Sequence, residues 1–307
     1  DKGVAIVYIS HRMEEVFAHC DTITVMRDGY AISSKPTRET NMEQVVRDMV
    51  GRSITEYYPG RTNEPGEIVL EVKNFCQDGL FNNISFKLRK GEILGVAGLM
   101  GAGRTEIMRA LFGVDSCKHG EVYLHGKKVC IKKPEDAIKA GIGFITENRK
   151  SEGLILDFSI SRNIALPSVD TFAKRSVINA KNETAFSEAL SKKLGVKTAS
   201  IDLEAGALSG GNQQKVVIAK WIGMNPSIII MDEPTRGIDV GAKRDIYDLM
   251  NELTSQGVAI IMVSSELPEV IGMSDRILVI HEGKIAGELD HEEATQEKII
   301  TLATGGQ

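Results

Sequence analysis

The sequence predicts an α/β fold whose core is a mostly parallel sheet covered by helices. Three observations support this prediction. Short apolar segments alternate with amphipathic ones, one apolar segment runs into a glycine-rich turn that opens a helix, and another ends in two acidic residues. Strands that are buried on both faces of a parallel sheet have this nearly continuous apolar composition.

The elements follow in order along the chain. The segment 67–72 alternates as a strand does, and 92–98 is a short apolar strand. The next segment, 105–113, places Ile107, Met108, Leu111 and Phe112 on one helical stripe that stops at Gly113. A strand at 227–233 that is expected to be fully buried and ends in two acids, an amphipathic helix at 240–257 and an apolar strand at 258–263 complete the alternation. Trp221 is expected to be a buried anchor for a helix at 213–223, and Met100 and Met108 to fill the core.

Composition excludes several classes of function. The formal charge of −5 leaves no basic surplus to hold a phosphodiester backbone, so nucleic acid is not an expected partner. The four cysteines form no CxxC pair, which argues against a zinc site or a disulfide framework. No apolar run approaches the roughly 20 residues that span a bilayer, so we expect any membrane role to depend on a partner.

A repeat predicts the domain organisation. Residues Gly3–Ile32 align without a gap on Gly257–Ala286, with 11 of 30 positions identical. The same register then pairs Gly51 with Gly305. We therefore expect residues 1–52 to be the carboxyl-terminal part of a truncated first domain, 53–66 to be a linker rich in proline and glycine, and 67–307 to be a complete second domain.

The turn after the strand at 92–98 has the composition of a phosphate-binding loop. In GLMGAGRT, the residues Gly98, Gly103 and Thr105 match G-x-x-x-x-G-K-[ST], and Arg104 replaces the lysine. Glycines let backbone N–H groups surround phosphates, and a hydroxyl at the last position can ligate magnesium. Taken alone, the same residues also suit a tight joint between a strand and a helix.

A second glycine-containing helix start occurs in LSGGNQQKV. Ser209 is a suitable N-cap, and Gly210 and Gly211 occupy a first turn where each glycine is costly to helix formation. An ordinary capped helix does not explain this cost. The segment therefore favours a second anion-binding helix end.

Two carboxylates lie at the end of the strand at 227–233. Asp232 is placed to hold magnesium, and Glu233 is placed to activate an attacking water. Two acids after a strand can equally begin a loop. The combination of a glycine loop, LSGGNQQ and DEP decides between these interpretations.

That combination resembles the nucleotide-binding domain of ABC transporters. More narrowly, GLMGAGRTE, LSGGNQQKV, DEPTRGIDVGAK and VSSELPEVIGMSDRI resemble the carboxyl-terminal half of tandem ATPases that drive bacterial import of ribose, galactose or similar monosaccharides. The resemblance implies a P-loop NTPase fold of ABC type, with an antiparallel β subdomain and an α-helical signature subdomain at about 154–224. It also implies two domains paired head to tail around two ATPs, each ATP held by one domain's phosphate loop and the other's signature segment.

The resemblance assigns roles to individual residues. Those assigned to ATP are Gly98, Gly101, Ala102, Gly103, Arg104, Thr105, Glu106, Glu147, Ser209, Gly210, Gly211 and Gln213. Those assigned to magnesium are Thr105, Glu147 and Asp232, and those assigned to hydrolysis are Glu233, Asp232, Ser265 and His11.

Three positions depart from the family pattern. Arg104 stands in place of lysine, Glu147 in place of glutamine, and Ser265 in place of a histidine that the repeat retains as His11. No adenine-stacking aromatic is evident near Gly79, where Phe75 and Phe81 are weak candidates. We therefore expect a degenerate nucleotide pocket in this domain, whose signature segment serves the pocket of the first domain.

The resemblance finally implies partners and a location. It predicts an ATPase on the cytoplasmic face of the membrane that acts on permease subunits and, through them, on an extracellular or periplasmic sugar-binding protein. The stretch Glu147–Asn163 is the candidate surface for the permease. Two alternatives are a soluble ABC-type ATPase of DNA repair or translation, and a regulatory nucleotide-binding scaffold without catalysis.

Overall fold

The structure is a computed structural model that describes residues 3–10, 13–27, 29–50, 58–60, 64–174 and 177–306. The strands are β1 (Thr22–Arg27), β2 (Tyr30–Pro36), β3 (Ile68–Gln77), β4 (Phe81–Arg89), β5 (Ile93–Gly98), β6 (His119–Leu124), β7 (Lys127–Val129), β8 (Ile142–Ile145), β9 (Ala173–Lys174), β10 (Val177–Ile178), β11 (Ile228–Asp232), β12 (Ala259–Val263), β13 (Arg276–His281) and β14 (Lys284–Asp290). The helices are α1 (Met13–His19), α2 (Met42–Val50), α3 (Arg104–Phe112), α4 (Pro134–Lys139), α5 (Ile160–Ala165), α6 (Val169–Phe172), α7 (Ala180–Lys193), α8 (Gly210–Ile222), α9 (Val240–Ser255), α10 (Leu267–Met273) and α11 (Gln296–Ala303).

A six-stranded sheet forms the centre, in the order β14-β13-β5-β12-β11-β8. The strands from β13 to β8 are parallel, and β14 joins the edge as an antiparallel partner of β13. The residues of β5, β11 and β12 are buried almost throughout, as the apolar segments predict. Because parallel strands end at the same edge, the residues that follow β5, β8, β11 and β12 are brought together there.

Two further regions flank this sheet. The antiparallel sheet β4-β3-β6-β7 confirms the expected β subdomain. Helices α5 to α8 occupy most of the region predicted to be helical, and the two-residue strands β9 and β10 form a small antiparallel ribbon within it. Trp221 is buried on α8 and packs edge-on against Phe112, with ring centroids 5.5 Å apart, so its predicted anchoring role is confirmed.

The amino-terminal part of the chain repeats the local structure of the carboxyl-terminal part. Elements α1, β1 and β2 have the same lengths as α10, β13 and β14 and lie at the same offset of 254 residues. Together with α2 they enclose a small core of their own, which includes Val16, Ile23, Val25 and Val45. The sequence repeat is therefore also a repeat of secondary structure.

The apolar run GVAIVYIS at 3–10 predicts a buried strand, and this prediction is wrong for the structure. Residues 3–10 are irregular, and Val4, Ile6, Val7 and Ile9 are each more than 70% exposed. The equivalent strand, β12, is buried because it lies between β5 and β11. In the described part of the chain, no strand flanks residues 3–10 in that way, so the segment has no strand to pair with there.

Part of the predicted linker packs on the central domain. The Tyr58 ring lies over Gly272, where an added Cβ would come within 2.4 Å of the ring, and its centroid is 5.4 Å from that of Tyr247. The side chain of Asn251 donates to the carbonyl oxygens of Pro59 and Gly60, at 3.0 and 3.3 Å. This piece of the linker is thus fixed to α9 and α10. Of the helices in the described ranges, none has the length and apolar composition to cross a membrane.

Candidate functional site

The glycine-rich loop connects β5 to α3, and its glycines have backbone conformations that residues with a side chain could not adopt without strain or a clash. Gly98 has φ of 155°, and a Cβ there would lie 2.4 Å from the carbonyl oxygen of Ile280. Gly103 has φ of 99° and occupies the N-cap position of α3, where no side chain of the described residues caps the helix. The first N–H groups of α3 are thus left available to an anion. Met100, expected in the core, is instead 91% exposed on this loop.

The remaining loop residues differ in accessibility. Gly101 is exposed, and a Cβ added there would meet no atom of the described part of the chain within 4 Å, whereas Ala102 is buried. Thr105 and Glu106, in the first turn of α3, are half-buried. The structure therefore places Gly98, Gly101, Gly103 and Thr105 on one turn, as the motif predicts.

Arg104 is buried and bound within the protein. Its Nη1 donates to the carbonyl oxygen of Ser264 at 2.7 Å, and its Nη2 lies 3.8 Å from Oε1 of Glu233. Its side chain is only 10% exposed. The planar guanidinium therefore links the first turn of α3 to the ends of β11 and β12.

Asp232 ends β11 fully buried, and neither of its carboxylate oxygens accepts a hydrogen bond in the described part of the chain. Burial raises the pKa of Asp232 to about 6, while the nearby Thr105 hydroxyl and the charge of Arg104 act in the opposite direction. Thr105 thus approaches Asp232 without making a hydrogen bond of ordinary geometry. An unpartnered carboxylate beside a hydroxyl is a donor set that suits magnesium.

The chain offers that ion few ligands of its own. Among the described residues, no three acidic, histidine or cysteine side chains converge on one point. Magnesium commonly binds through one or two protein ligands and takes its other ligands from phosphate oxygens and water. The pair Thr105 and Asp232 fits this mode of binding.

Glu233 follows Asp232 in a left-handed conformation, with φ of 49°. Its Oε2 accepts a hydrogen bond of 3.0 Å from the hydroxyl of Ser265. Burial raises the pKa of Glu233 to about 7, and the Ser265 hydrogen bond and Arg104 oppose this rise. A non-glycine residue in this region of φ is uncommon and is often found at functional sites. The structure thus joins Glu233 and Ser265 directly.

Glu147 lies at the same edge of the sheet but is bound elsewhere. It is exposed, follows β8, and forms an ion pair with Arg236, three residues beyond Glu233. Its predicted contact with magnesium would require it to leave Arg236.

The start of α8 is a separate surface. Ser209 is exposed and occupies the N-cap position, but its hydroxyl accepts from the side chain of Asn212 at 3.0 Å and, within the described ranges, caps no backbone N–H. A Cβ at Gly210 would lie 2.7 Å from Nη2 of Arg149, and one at Gly211 would lie 3.0 Å from Cβ of Ala242. Side chains at these two positions would therefore require their neighbours to shift, and no side chain of the described residues caps the N–H groups of the turn.

Several predicted residues do not lie where the resemblance suggests. Gln213 is buried, only 3% exposed, and donates to the carbonyl oxygen of Ala205, so it supports the turn and does not present its amide to a ligand. Phe75 and Phe81 are both buried and stack on each other, with centroids 5.5 Å apart, which excludes them as exposed stacking surfaces. His11 lies outside the described residues.

Sequence reasoning missed a buried carboxyl group beside this site. Glu269 on α10 is 1% exposed and accepts hydrogen bonds from the hydroxyls of Ser264 and Thr235. Burial raises its pKa. It connects the segment after β11 to the segment after β12. Its signal in the sequence is an acid directly beside the apolar residue Val270.

Comparison with known proteins gives consistent results. The sequence pattern of a family described as ABC transporter matches residues 81–236. The chain is 63% identical over 305 residues to the ribose import ATP-binding protein RbsA of Oceanobacillus iheyensis, and 62% identical over 305 residues to that of Bacillus subtilis. Each alignment covers 99% of this chain but only 62% of the relative, so the chain spans less than two thirds of these proteins.

Solved structures show the same fold. MJ1267, an ATP-binding cassette of an ABC transporter, superposes with a TM-score of 0.65 at 23% identity, covering 76% of this chain and 98% of that one. The cassette MJ0796, in a dimeric post-hydrolysis state bound to ADP and Pi, gives 0.62 at 22% identity, covering 72% and 98%.

Proposed function

This chain belongs to the ABC transporter family, and we propose that it is part of an ATPase that drives import of a monosaccharide such as ribose. The observation that carries the proposal is the convergence at one sheet edge of an uncapped glycine loop, the unpartnered Asp232 and the buried Glu233. These groups supply sites for a phosphate chain, its metal and a base. The name of the close relatives supplies the class of sugar.

Within the proposed site, each residue has a chemical task. Backbone N–H groups at 101–105 bind the phosphates of ATP, and Thr105 with Asp232 holds magnesium, which neutralises phosphate charge when bound. Glu233 accepts the proton of an attacking water, a role suited to a carboxyl group whose pKa is about 7. Ser265 orients that carboxylate through its hydrogen bond.

We further propose that this pocket turns over slowly. The guanidinium of Arg104 is committed to Ser264 and Glu233, and it is wider than the ammonium group that phosphate loops usually carry. Glu147 stands where a neutral glutamine is usual, and it adds negative charge near the phosphates unless its ion pair with Arg236 persists. A degenerate pocket would leave the signature segment Ser209–Gly211 as this domain's contribution to hydrolysis elsewhere.

The proposed partner for that segment is a first cassette in the same protein. Residues 1–52 would be its end, 53–66 the linker and 67–307 the second cassette, because the secondary structure of the tail repeats that of the cassette's own end. The relatives are long enough to hold a further domain. Head-to-tail pairing would then place Ser209 and His11 together in the first domain's pocket; the cassette MJ0796 is described as dimeric.

We place the assembled protein on the cytoplasmic face of the membrane, bound to permease subunits that receive sugar from an extracellular binding protein. The proposed docking surface is Glu147–Asn163, where Ile155 and Phe158 are 41% and 37% exposed. Exposed apolar side chains on a charged surface suit a protein partner.

The test is reconstitution of the full-length protein with its permease in vesicles. Sugar uptake should require ATP, and Glu233→Gln should slow hydrolysis less than the equivalent change in the first cassette. The purified chain alone should bind ATP with magnesium weakly and hydrolyse it scarcely at all. Turnover by the chain alone at the rate of the full-length protein, abolished by Glu233→Gln, would contradict the degenerate pocket.

The two alternative functions are less well supported. The relatives' import function does not favour the soluble ATPase. Sugar uptake that is unaffected by both Glu233→Gln and Arg104→Ala would favour the regulatory scaffold without catalysis.

A further inference from the structure

A short π-helical turn at Arg149–Gly153 connects three parts of the cassette. Asn148 caps the turn by accepting from the backbone N–H groups of Lys150 and Ser151. Its last carbonyl, that of Gly153, accepts from Nζ of Lys220 on α8 at 2.7 Å. Glu152 lies 3.6 Å from Arg109 on α3. The turn is therefore attached both to the helix of the phosphate loop and to the helix of the signature segment.

Arg149, the first residue of this turn, extends to the loop that follows Glu233. Its Nη1 donates to the carbonyl oxygen of Arg236 at 2.8 Å, and its Nη2 to that of Gly237 at 3.2 Å. Among the described residues, its Nε has no hydrogen-bond partner. A guanidinium group that donates hydrogen bonds to two successive backbone carbonyls fixes the path of the loop that carries them.

The same guanidinium lies against the first turn of α8. A Cβ at Gly210 would come within 2.7 Å of Nη2 of Arg149 and 3.4 Å of the carbonyl oxygen of Gly237. Arg149 thus fills the space that glycine leaves open, and the loop and the helix start meet on its two sides. A side chain at position 210 would push the guanidinium out.

A second interaction runs in the opposite direction between the same two segments. Arg236, whose carbonyl receives Arg149, extends its own side chain to Glu147, two residues before Arg149. This ion pair is exposed and contributes little energy alone. The two hydrogen bonds from Arg149 to the backbone are therefore the stronger part of the attachment.

We propose that Arg149 is a positioning residue for ATP hydrolysis by the assembled protein, because it holds the loop after Glu233 against the first turn of α8. The inference rests on the proposed function, in which the first turn of α8 serves the pocket of the other cassette. The two hydrogen bonds of Arg149 end on the loop after Glu233 and reach neither the phosphate loop nor Asp232. Loss of Arg149 therefore leaves binding of ATP to a phosphate loop intact and impairs the step that needs both cassettes in register.

The experiment measures steady-state hydrolysis by the full-length protein carrying Arg149→Ala, Arg149→Lys or Lys181→Ala. Lys181 is the control, since it is an exposed cation on α7 and lies outside the proposed permease surface. We expect Arg149→Ala to lower kcat by about tenfold or more while KM for ATP changes by less than about threefold. Arg149→Lys, which keeps the charge but not the planar fork, should fall between wild type and alanine, and Lys181→Ala should match wild type.

A chemical rescue separates positioning from a general loss of structure. Millimolar guanidinium ion should restore part of the kcat of Arg149→Ala, because it can occupy the space beside Gly210, and should not stimulate the wild type. Gly210→Ala should lower kcat to a similar extent, without rescue, since arginine is still present and the space is filled. Should Arg149→Ala fail to fold, the graded loss from Arg149→Lys still tests the proposal.

The outcomes are distinct. A wild-type kcat for Arg149→Ala in a protein that hydrolyses ATP overturns the inference alone, as does a loss that guanidinium does not restore. A full-length protein that does not hydrolyse ATP at all overturns the proposed function, and the inference falls with it.

Discussion

Replacing Glu233 with glutamine should stabilise the nucleotide-free chain at neutral and alkaline pH. Glu233 is 9% exposed, and burial raises its pKa from 4.5 to about 7. The folded protein therefore binds a proton at this carboxyl group more tightly than the unfolded chain does. Well below pH 4.5 the carboxyl group is protonated in both states, and the pH then has no effect on stability through this group. As the pH rises from there through about 7, the folded state loses stability relative to the unfolded chain, because charging this side chain costs more where it is buried.

The size of the effect follows from the shift in pKa. One pKa unit corresponds to about 1.4 kcal/mol, so a rise from 4.5 to about 7 gives about 3 kcal/mol at full ionisation. Glutamine keeps the shape and can still accept the hydrogen bond from Ser265, but it does not ionise. The variant should thus equal the wild type at about pH 4 and exceed it by about 2–3 kcal/mol at about pH 8.

Urea denaturation from about pH 4 to about pH 8.5, without nucleotide, measures this difference through the midpoint and slope of unfolding. The control is Glu188→Gln, which removes an exposed carboxyl group on α7 and should give a small difference that does not change with pH. A constant gap between Glu233→Gln and wild type across the range would refute the reasoning, and so would a gap that narrows as the pH rises.

Three further changes test other parts of the structure. Arg104→Lys should tighten binding of ATP by the isolated chain by about tenfold, as a compact ammonium gains a charge-assisted hydrogen bond to phosphate; calorimetric titration with unchanged affinity would count against a misplaced guanidinium. Gly98→Ala should lower the free energy of unfolding by about 3 kcal/mol in urea denaturation, because its Cβ would meet a backbone carbonyl 2.4 Å away. Gly272→Ala should lower the free energy of unfolding by about 1–3 kcal/mol, because its Cβ would displace the Tyr58 ring. In a protein that already carries Tyr58→Ala, Gly272→Ala should lower this free energy much less. If urea denaturation shows that the two losses simply add, the linker does not occupy this surface.

The central sheet is predictable from the sequence because its strands are apolar and punctuated by glycine. The segments at 92–98, 227–233 and 258–263 correspond to β5, β11 and β12, with boundaries shifted by a residue or two. The spacing of apolar residues likewise predicts α9, and Gly113 ends α3 in the left-handed conformation expected of a helix stop. These features depend on local patterns, which a single sequence records.

The contacts around the site are less predictable because they join distant segments. Nothing local to Arg104 indicates that its side chain reaches the carbonyl of Ser264, 160 residues away. The exposure of residues 3–10 depends on which strands lie beside them, and an apolar run alone suggests burial. The exposure of Met100 has a related cause, since its position on a glycine loop at the surface decides its exposure more than its apolar side chain does.

The exposed segment at 3–10 also bears on how this chain behaves in concentrated solution. It combines several β-branched residues with a complete lack of charge and proline, in the sequence GVAIVYIS. Uncharged segments of this kind readily add to strand edges or to copies of themselves. In the proposed full-length protein, neighbouring strands of the first domain would cover this segment and so keep an aggregation-prone stretch out of contact with other molecules.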